Sequence, residues 1–198
     1  MRLGVTGGIG SGKTSVCRVF NTLGIPVFSA DPEARSLMES DPAIIKGINS
    51  IAERDLYPGG ILDRMYLAKL IFNDPEKLKR VNTLVHPAVF ERFTDWASDK
   101  SAPYVIMEAA ILFESGGNKL VDKVLSVLAP EEERIERVMH RNNLSREQVL
   151  ERMRNQISDE QRIELSDYLI SNSENDMIIP SVLKIHHDIL SLLKTSNL

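Results

Sequence analysis

The chain is short of cysteine, of long apolar runs and of basic excess, and each shortage closes off a class of protein. Of 198 residues only Cys17 is a cysteine. That excludes an internal disulfide framework and a multi-cysteine zinc site, and it fits a reducing compartment. No apolar run approaches the ~18–20 residues of a membrane span; the longest, such as Ala109 to Phe113, are strand-sized. The N-terminus, Met1-Arg2-Leu3-Gly4-Val5, enters a glycine cluster at once, with no room for a signal-peptide core. Lys plus Arg number 24 against 28 Asp plus Glu, for a formal charge of -4. A broad nucleic-acid surface needs the opposite sign, whereas a small anion in a locally basic pocket is compatible with it. The expectation is a cytoplasmic, soluble monomer with neither nucleic-acid nor membrane partners.

What is present is an ordinary globular composition, 42% apolar and 26% charged, enough for one compact domain with a small insert. Short apolar runs alternate with longer segments of helical period, the pattern of an α/β fold with a mostly parallel sheet. Five strands are expected: Arg2 to Thr6, Pro26 to Ser29, Tyr104 to Glu108, Lys123 to Leu128 and Asp167 to Ile170. Helix starts are expected at Asp31-Pro32, Asp41-Pro42, Asp74-Pro75, His86-Pro87 and Ala129-Pro130, because proline at the first helical position costs no hydrogen bond. From Pro32 to Ser98 the period is helical throughout, too long for a single crossover, with a break at Tyr57-Pro58-Gly59-Gly60. Glu131 to Glu164 is densely charged, with arginines at 134, 137, 141, 146, 152, 154 and 162; composition alone makes it a solvated helical pair. Ile178, Ile179, Val182, Ile185, Ile189, Leu192 and Leu193 form the stripe of an amphipathic helix.

The segment Gly7-Gly8-Ile9-Gly10-Ser11-Gly12-Lys13-Thr14 satisfies G-x-x-x-x-G-K-[ST] at every position. Glycines let the backbone wrap with its N–H groups inward, and the following helix directs its positive end at phosphates. Lys13 is placed for the β- and γ-phosphates and the Thr14 hydroxyl for Mg²⁺. A chance match arises in roughly 1% of chains this long. Here a strand precedes the motif and a helical run from Thr14 to Leu23 follows it, the context the motif requires. Cys17, in that helix, reads as a packing residue.

A guanine-nucleotide switch would carry D-x-x-G, yet no glycine has an aspartate three residues before it. In Asn118-Lys119-Leu120-Val121-Asp122 the aspartate comes one residue too late for [NT]-K-x-D. An ATPase acting as a switch or partner-binding module needs an acid ending a second apolar strand, and Glu108 supplies one; it either holds a metal-bound water or caps the strand. A kinase needs an acceptor site, a base, extra cations and a lid. Asp31, at the end of the second strand, is a candidate base and equally an N-cap. Arg35 either grips an anion or pairs with Asp31 at i,i+4 spacing. The arginine-rich segment then serves as the lid. Spacing alone supports a P-loop small-molecule kinase and leaves its acceptor open, a nucleoside or nucleoside monophosphate included.

The ordered series of motifs resembles the dephospho-coenzyme A kinase family. The loop from Val5 to Lys13 is like the family's T-G-G-I-G-S-G-K, and Ala30-Asp31 with Arg35 like its A-D-x-x-x-R. Gly60-Ile61-Leu62-Asp63-Arg64, the His86-Pro87 step and Ile111-Leu112-Phe113-Glu114 follow in family order. Arg137, Arg141, Arg152 and Gln156 match the lid pattern, and Asp167 to Asn172 the closing strand. The resemblance implies a P-loop three-layer sandwich and ATP-dependent phosphorylation of the ribose 3′-hydroxyl of dephospho-coenzyme A, the last step of coenzyme A synthesis. It implies a core of 1–31, 99–130 and 166–198, a helical acceptor-binding insert of 32–98 and a lid of 131–165. By the same analogy Asp31 is the base, and Lys13 and Arg141 stabilise the transferring charge. ATP is held by Gly8, Ile9, Gly10, Ser11, Gly12, Lys13, Thr14 and Ser15 with Arg137, Arg141 and Asn172. Thr14 binds Mg²⁺, and Asp31, Arg35, Arg64, His86, Leu112, Phe113 and Glu114 lie at the acceptor. Three positions depart from the family pattern: Ser29 where a second aspartate is common, Ala110 where proline is, and Ser173-Glu174 where glycine is. His86 reads equally as a locally bonded helix-start residue; His140, His186 and His187 read as surface residues, and Trp96 as core.

Overall fold

The computed structural model describes residues 1–72 and 74–195. Its strands are β1 (Arg2–Gly7), β2 (Val27–Ser29), β3 (Val105–Glu108), β4 (Lys123–Leu128) and β5 (Tyr168–Ser171). Its helices are α1 (Lys13–Thr22), α2 (Ala30–Ser40), α3 (Pro42–Ala52), α4 (Arg64–Phe72), α5 (Pro75–Ser98), α6 (Glu131–Asn142), α7 (Arg146–Met153), α8 (Asp159–Glu164) and α9 (Ile178–Thr195). By contacts the chain forms two compact units, 1–29 with 99–198, and 30–98. None of the described helices is long and apolar enough to cross a membrane.

The first unit is built on a five-stranded sheet in the order β2-β3-β1-β4-β5, every pair parallel. Side chains alternate between faces along each strand, and registered neighbours share a face. Leu3, Val5, Ile106, Leu125, Val127 and Ile170 therefore point to one side, where Val16, Cys17 and Phe20 of α1 and Val182, Ile185 and Ile189 of α9 bury them. The α9 stripe is narrower than its sequence suggests, since Ile179 and Leu192 are largely exposed. On the opposite face the turn after β3 brings Leu112 onto Gly4, where a Cβ would come within 2.7 Å of Leu112 Cδ2. Helices α6 and α7 carry a small core of their own, Ile135, Val138 and Val149, into which Ile9 packs.

The second unit has no strand among its described residues and is built from α2 to α5. Val81, Val85, Val89 and Phe93 make a buried i,i+4 stripe along α5, against which α2, α3 and α4 pack. Asp41 caps α3, accepting from the amides of Ala43 and Ile44 at 2.8 and 3.1 Å. Asp74 does the same before α5, for Glu76 and Lys77.

Two expected helix starts are corrected. α2 already begins at Ala30, so Asp31 lies inside the first turn and is not the N-cap. His86-Pro87 starts nothing: α5 runs through it, its apolar stripe on both sides outweighing the bond that proline removes. His186 is likewise no plain surface residue, for its Nδ1 meets the hydroxyl of buried Tyr104 at 2.7 Å.

Candidate active site

The site grows from the carboxyl end of the central strand, where α/β sheets take their ligands. After β1 the chain turns through Gly10 (φ +82°) and Gly12 (φ +92°), both in the left-handed region that favours glycine. Gly12 precedes α1 and offers no side-chain cap, so the first-turn amides are not claimed by one. A Cβ on Gly12 would fall 2.0 Å from Asn172 Nδ2. Asn172 comes that close because its amide donates to the Ser11 carbonyl at 2.7 Å, which ties the end of β5 to the loop. The Lys13 ammonium folds back over the loop, donating to Gly7 O at 3.0 Å and Gly8 O at 3.4 Å. Ser15, one turn into α1, donates its amide to Gly12 O.

Alternation along β3 puts Glu108 on the same face as Ile106, the face that α1 covers. The Thr14 hydroxyl donates to Glu108 Oε1 at 2.9 Å. Ser29 sits beside Glu108 in the β2–β3 register, and its hydroxyl donates to Oε2 at 3.0 Å. Both carboxylate oxygens are thus engaged by hydroxyls. Glu108 is a bridge between the loop and the end of β2, more than a strand cap. The Cys17 thiol below is pushed up by burial and further by Glu108, with Lys13 opposing; it is a packing group, not a nucleophile.

Beside the loop, Arg137 donates through Nη1 to the Asn172 carbonyl at 2.9 Å and through Nη2 to Glu133 at 2.7 Å. Arg141, one turn on, is exposed at the end of α6 and donates to Asn142 Oδ1. Gln156 makes two long-range bonds: its Oε1 accepts the Ile9 amide at 2.8 Å and its Nε2 donates to Ala110 O at 2.7 Å. Glu114 is exposed and accepts the Ile157 amide. Leu112 is fully buried and Phe113 half-buried.

Arg134 was visible in the sequence only as one charge among many, but it is 6% exposed and lies against Gly8 and Gly10. Its partner Asp159 also binds Arg162. A solvated charged face is therefore the wrong description of these two arginines. The available signal was weak: Asp159 and Arg162 stand at i,i+3 spacing, a pairing distance on any helix.

Four candidate residues belong to the helical unit. Asp31 is exposed in the first turn of α2, two residues past Ser29 in the chain. Arg35 is exposed one turn further along α2. Arg64 opens α4, forking onto Glu39 Oε1 at 2.5 and 3.1 Å. His86 is half-buried beside Phe90, and burial lowers its pKa.

A parallel 2-3-1-4-5 sheet, a phosphate loop on its central strand, a carboxylate bonded to the loop threonine and an arginine-bearing helical segment define a P-loop kinase. Structures of the same fold include a shikimate kinase from Acinetobacter baumannii (TM-score 0.56, 19% identity, 96% of this chain and 93% of that one). The dephospho-CoA kinase family model matches residues 1–177, and the chain belongs to that family. It is 38% identical over 186 residues to the dephospho-CoA kinase of Bacteroides fragilis, covering 93% of this chain and 91% of the relative. A crystal structure from Thermus thermophilus superposes with TM-score 0.85 at 35% identity, covering 95% of this chain and 96% of that one. The dephospho-CoA kinase from Campylobacter jejuni gives 0.68 at 25% identity, with the same coverage of both chains. The family's reaction, ATP-dependent phosphorylation of dephospho-CoA in coenzyme A biosynthesis, is the reaction of this chain.

Proposed function

We propose that the residues gathered above divide the work of moving the γ-phosphoryl of ATP to the ribose 3′-hydroxyl of dephospho-CoA. The acceptor oxygen bonds to phosphorus as the bond to the β-phosphate oxygen breaks, ADP leaves, and Asp31 takes the hydroxyl proton. Gly8 to Ser15 cradle the phosphates, and Lys13 exchanges its loop carbonyls for phosphate oxygens as negative charge migrates. Arg137 and Asn172 hold the nucleotide from the β5 side. The bridge Thr14–Glu108–Ser29 is the observation that carries this reading, because it joins the loop to the strand end that leads into Asp31.

Hydroxyl and carboxylate oxygens suit a hard cation, so Thr14, oriented by Glu108, fits Mg²⁺. When bound, Mg²⁺ neutralises the charge on the phosphates. Segment 32–98 is read as the acceptor-binding insert and 131–165 as the lid. In the insert Arg35 is open to an anionic acceptor. The exposed Arg64–Glu39 pair is worth at most about 1 kcal/mol, so an acceptor phosphate can displace Glu39 readily. His86, its pKa lowered by burial, and the Leu112-Phe113-Glu114 turn complete the assignment; buried Leu112 acts by shaping the turn. The protein is read as a cytoplasmic monomer, its single cysteine fitting a reducing compartment.

The direct test is ADP release with Mg-ATP on dephospho-CoA, AMP, adenosine and no acceptor, with products identified by mass. Turnover is expected with dephospho-CoA alone, giving coenzyme A. Release without an acceptor would instead mark an ATPase. Within the same assay Arg141→Ala is expected to lower kcat by roughly tenfold or more while changing the acceptor KM little. An unchanged kcat removes Arg141 from the mechanism.

A further inference from the structure

Behind the phosphate loop lies a pair of buried cations that the phosphate-transfer chemistry above does not use. Arg134, in the first turn of α6, is 6% exposed, and Arg162, in α8, is 1% exposed. One carboxylate serves both: Asp159 Oδ2 accepts from Arg134 Nη2 at 3.0 Å and Oδ1 from Arg162 Nη1 at 2.6 Å. Three of the four remaining donor nitrogens go unanswered. Arg134 Nε and Arg162 Nε and Nη2 are buried with no acceptor among the described residues. Arginine does not shed its proton to escape such a position, so two positive charges face one fixed negative charge. Glu114 also acts on Arg162, but it is exposed and solvent screens it. Glu131 and Glu160 are exposed as well.

The location of this surplus charge gives it meaning. A Cβ on Gly8 would fall 1.9 Å from Arg134 Nη1, and one on Gly10 2.5 Å from the Arg134 carbonyl. The guanidinium therefore reaches Gly8 end-on through Nη1, and the Arg134 backbone lies against Gly10, so that the loop can carry no side chain at either position. The contact is braced on both sides, by the Ile9 amide on Gln156 and by the Ile9 side chain in the α6–α7 core. The loop thus has a cation fixed against its own backbone at Gly8.

We propose that Arg134, held by Asp159 and Arg162, is a positioning residue that acts through the loop backbone as a permanent electrostatic support for the nucleotide's phosphate chain. It touches no substrate. Its field strengthens binding in proportion to the ligand's charge, whereas a residue that merely kept the loop folded would affect all nucleotides alike. The inference rests on the reading of this loop as the ATP site.

The test is a charge ladder. Affinities for ATP, ADP and AMP are measured calorimetrically in EDTA on the parent, Arg134→Gln and Arg134→Lys, with melting temperature followed in parallel. Arg134→Gln is expected to weaken ATP about tenfold, ADP less and AMP least, and to flatten the salt dependence of ATP binding. Arg134→Lys, which keeps the charge, is expected to stay within about twofold of the parent for each ligand. Equal losses across the ladder, or none, overturn the proposal. If Arg134→Gln does not fold, Arg134→Lys decides: a folded lysine variant with a graded loss of affinity overturns the charge argument. A parent that binds no ATP refutes the nucleotide-site reading itself, an outcome separate from either variant's behaviour.

Discussion

Lys13→Ala is expected to abolish phosphoryl transfer, leaving no more than roughly a few per cent of parental turnover. The side chain already lies over the loop proposed to take the phosphates, its ammonium held by the carbonyls of Gly7 and Gly8. Those neutral acceptors are weaker partners than phosphate oxygens, so on the proposed reading the ammonium is expected to transfer to the nucleotide when it binds. Alanine leaves the loop carbonyls without their donor and the migrating charge without its nearest cation. Both losses fall on the transition state, so kcat drops further than ATP affinity. Steady-state turnover alongside calorimetric ATP binding separates them. Turnover clearly above that level removes Lys13 from the transfer step.

Asp31→Asn is expected to cut kcat by roughly 10²–10⁴, the usual contribution of a positioned base, with ATP binding nearly intact. Asparagine keeps the shape and loses the proton acceptor. The structure sharpens this comparison, because α2 begins at Ala30 and Asp31 is not its cap. A carboxylate in a first turn still interacts with the helix dipole, worth about 0.3–1 kcal/mol, and Glu33 stays behind in the same turn. Unfolding is thus not expected from the substitution. A melting temperature lowered by many degrees with per-molecule turnover unchanged would assign Asp31 to structure instead.

How much of this could be read in the sequence follows from what each feature depends on. The strands around Val5, Ile106 and Leu125 were legible because buried parallel strands are short and apolar, and the five expected segments match the five strands to within a residue or two. The loop was legible because its chemistry demands a fixed spacing. Helix starts were less so: proline signals a start only when the preceding residues cannot be helical, and around His86-Pro87 the stripe of Val85 and Val89 continues regardless. Least legible was anything set by pairing across long sequence distance. Glu108 bonded to Thr14 and Ser29, Gln156 to Ile9 and Ala110, and Arg134 and Arg162 to Asp159 depend on tertiary register. In a run of charges, no local pattern distinguishes the two arginines that are buried from the five that are solvated or only half-buried.

The order of strands in the sheet also bears on how the protein comes off the ribosome. β1 has only two neighbours, β3 and β4, so Arg2 finds its partner at Val105 and Leu3 its other partner at Lys123. β2 pairs with β3 alone. When β1 and α1 emerge no strand that pairs with β1 has yet been made, and the whole of α2 to α5 is translated before an edge arrives. At about 5–20 residues per second β1 waits several seconds with both its edges unpaired and only α1 to cover one face. The local helical contacts of 30–98 form meanwhile, since short-range contacts close fastest. The strand that leads into the phosphate-loop motif is thus made before every strand that pairs with it and is among the last to be assembled, and damage to β3 or β4 that slows pairing is expected to be felt there as lost yield of active enzyme.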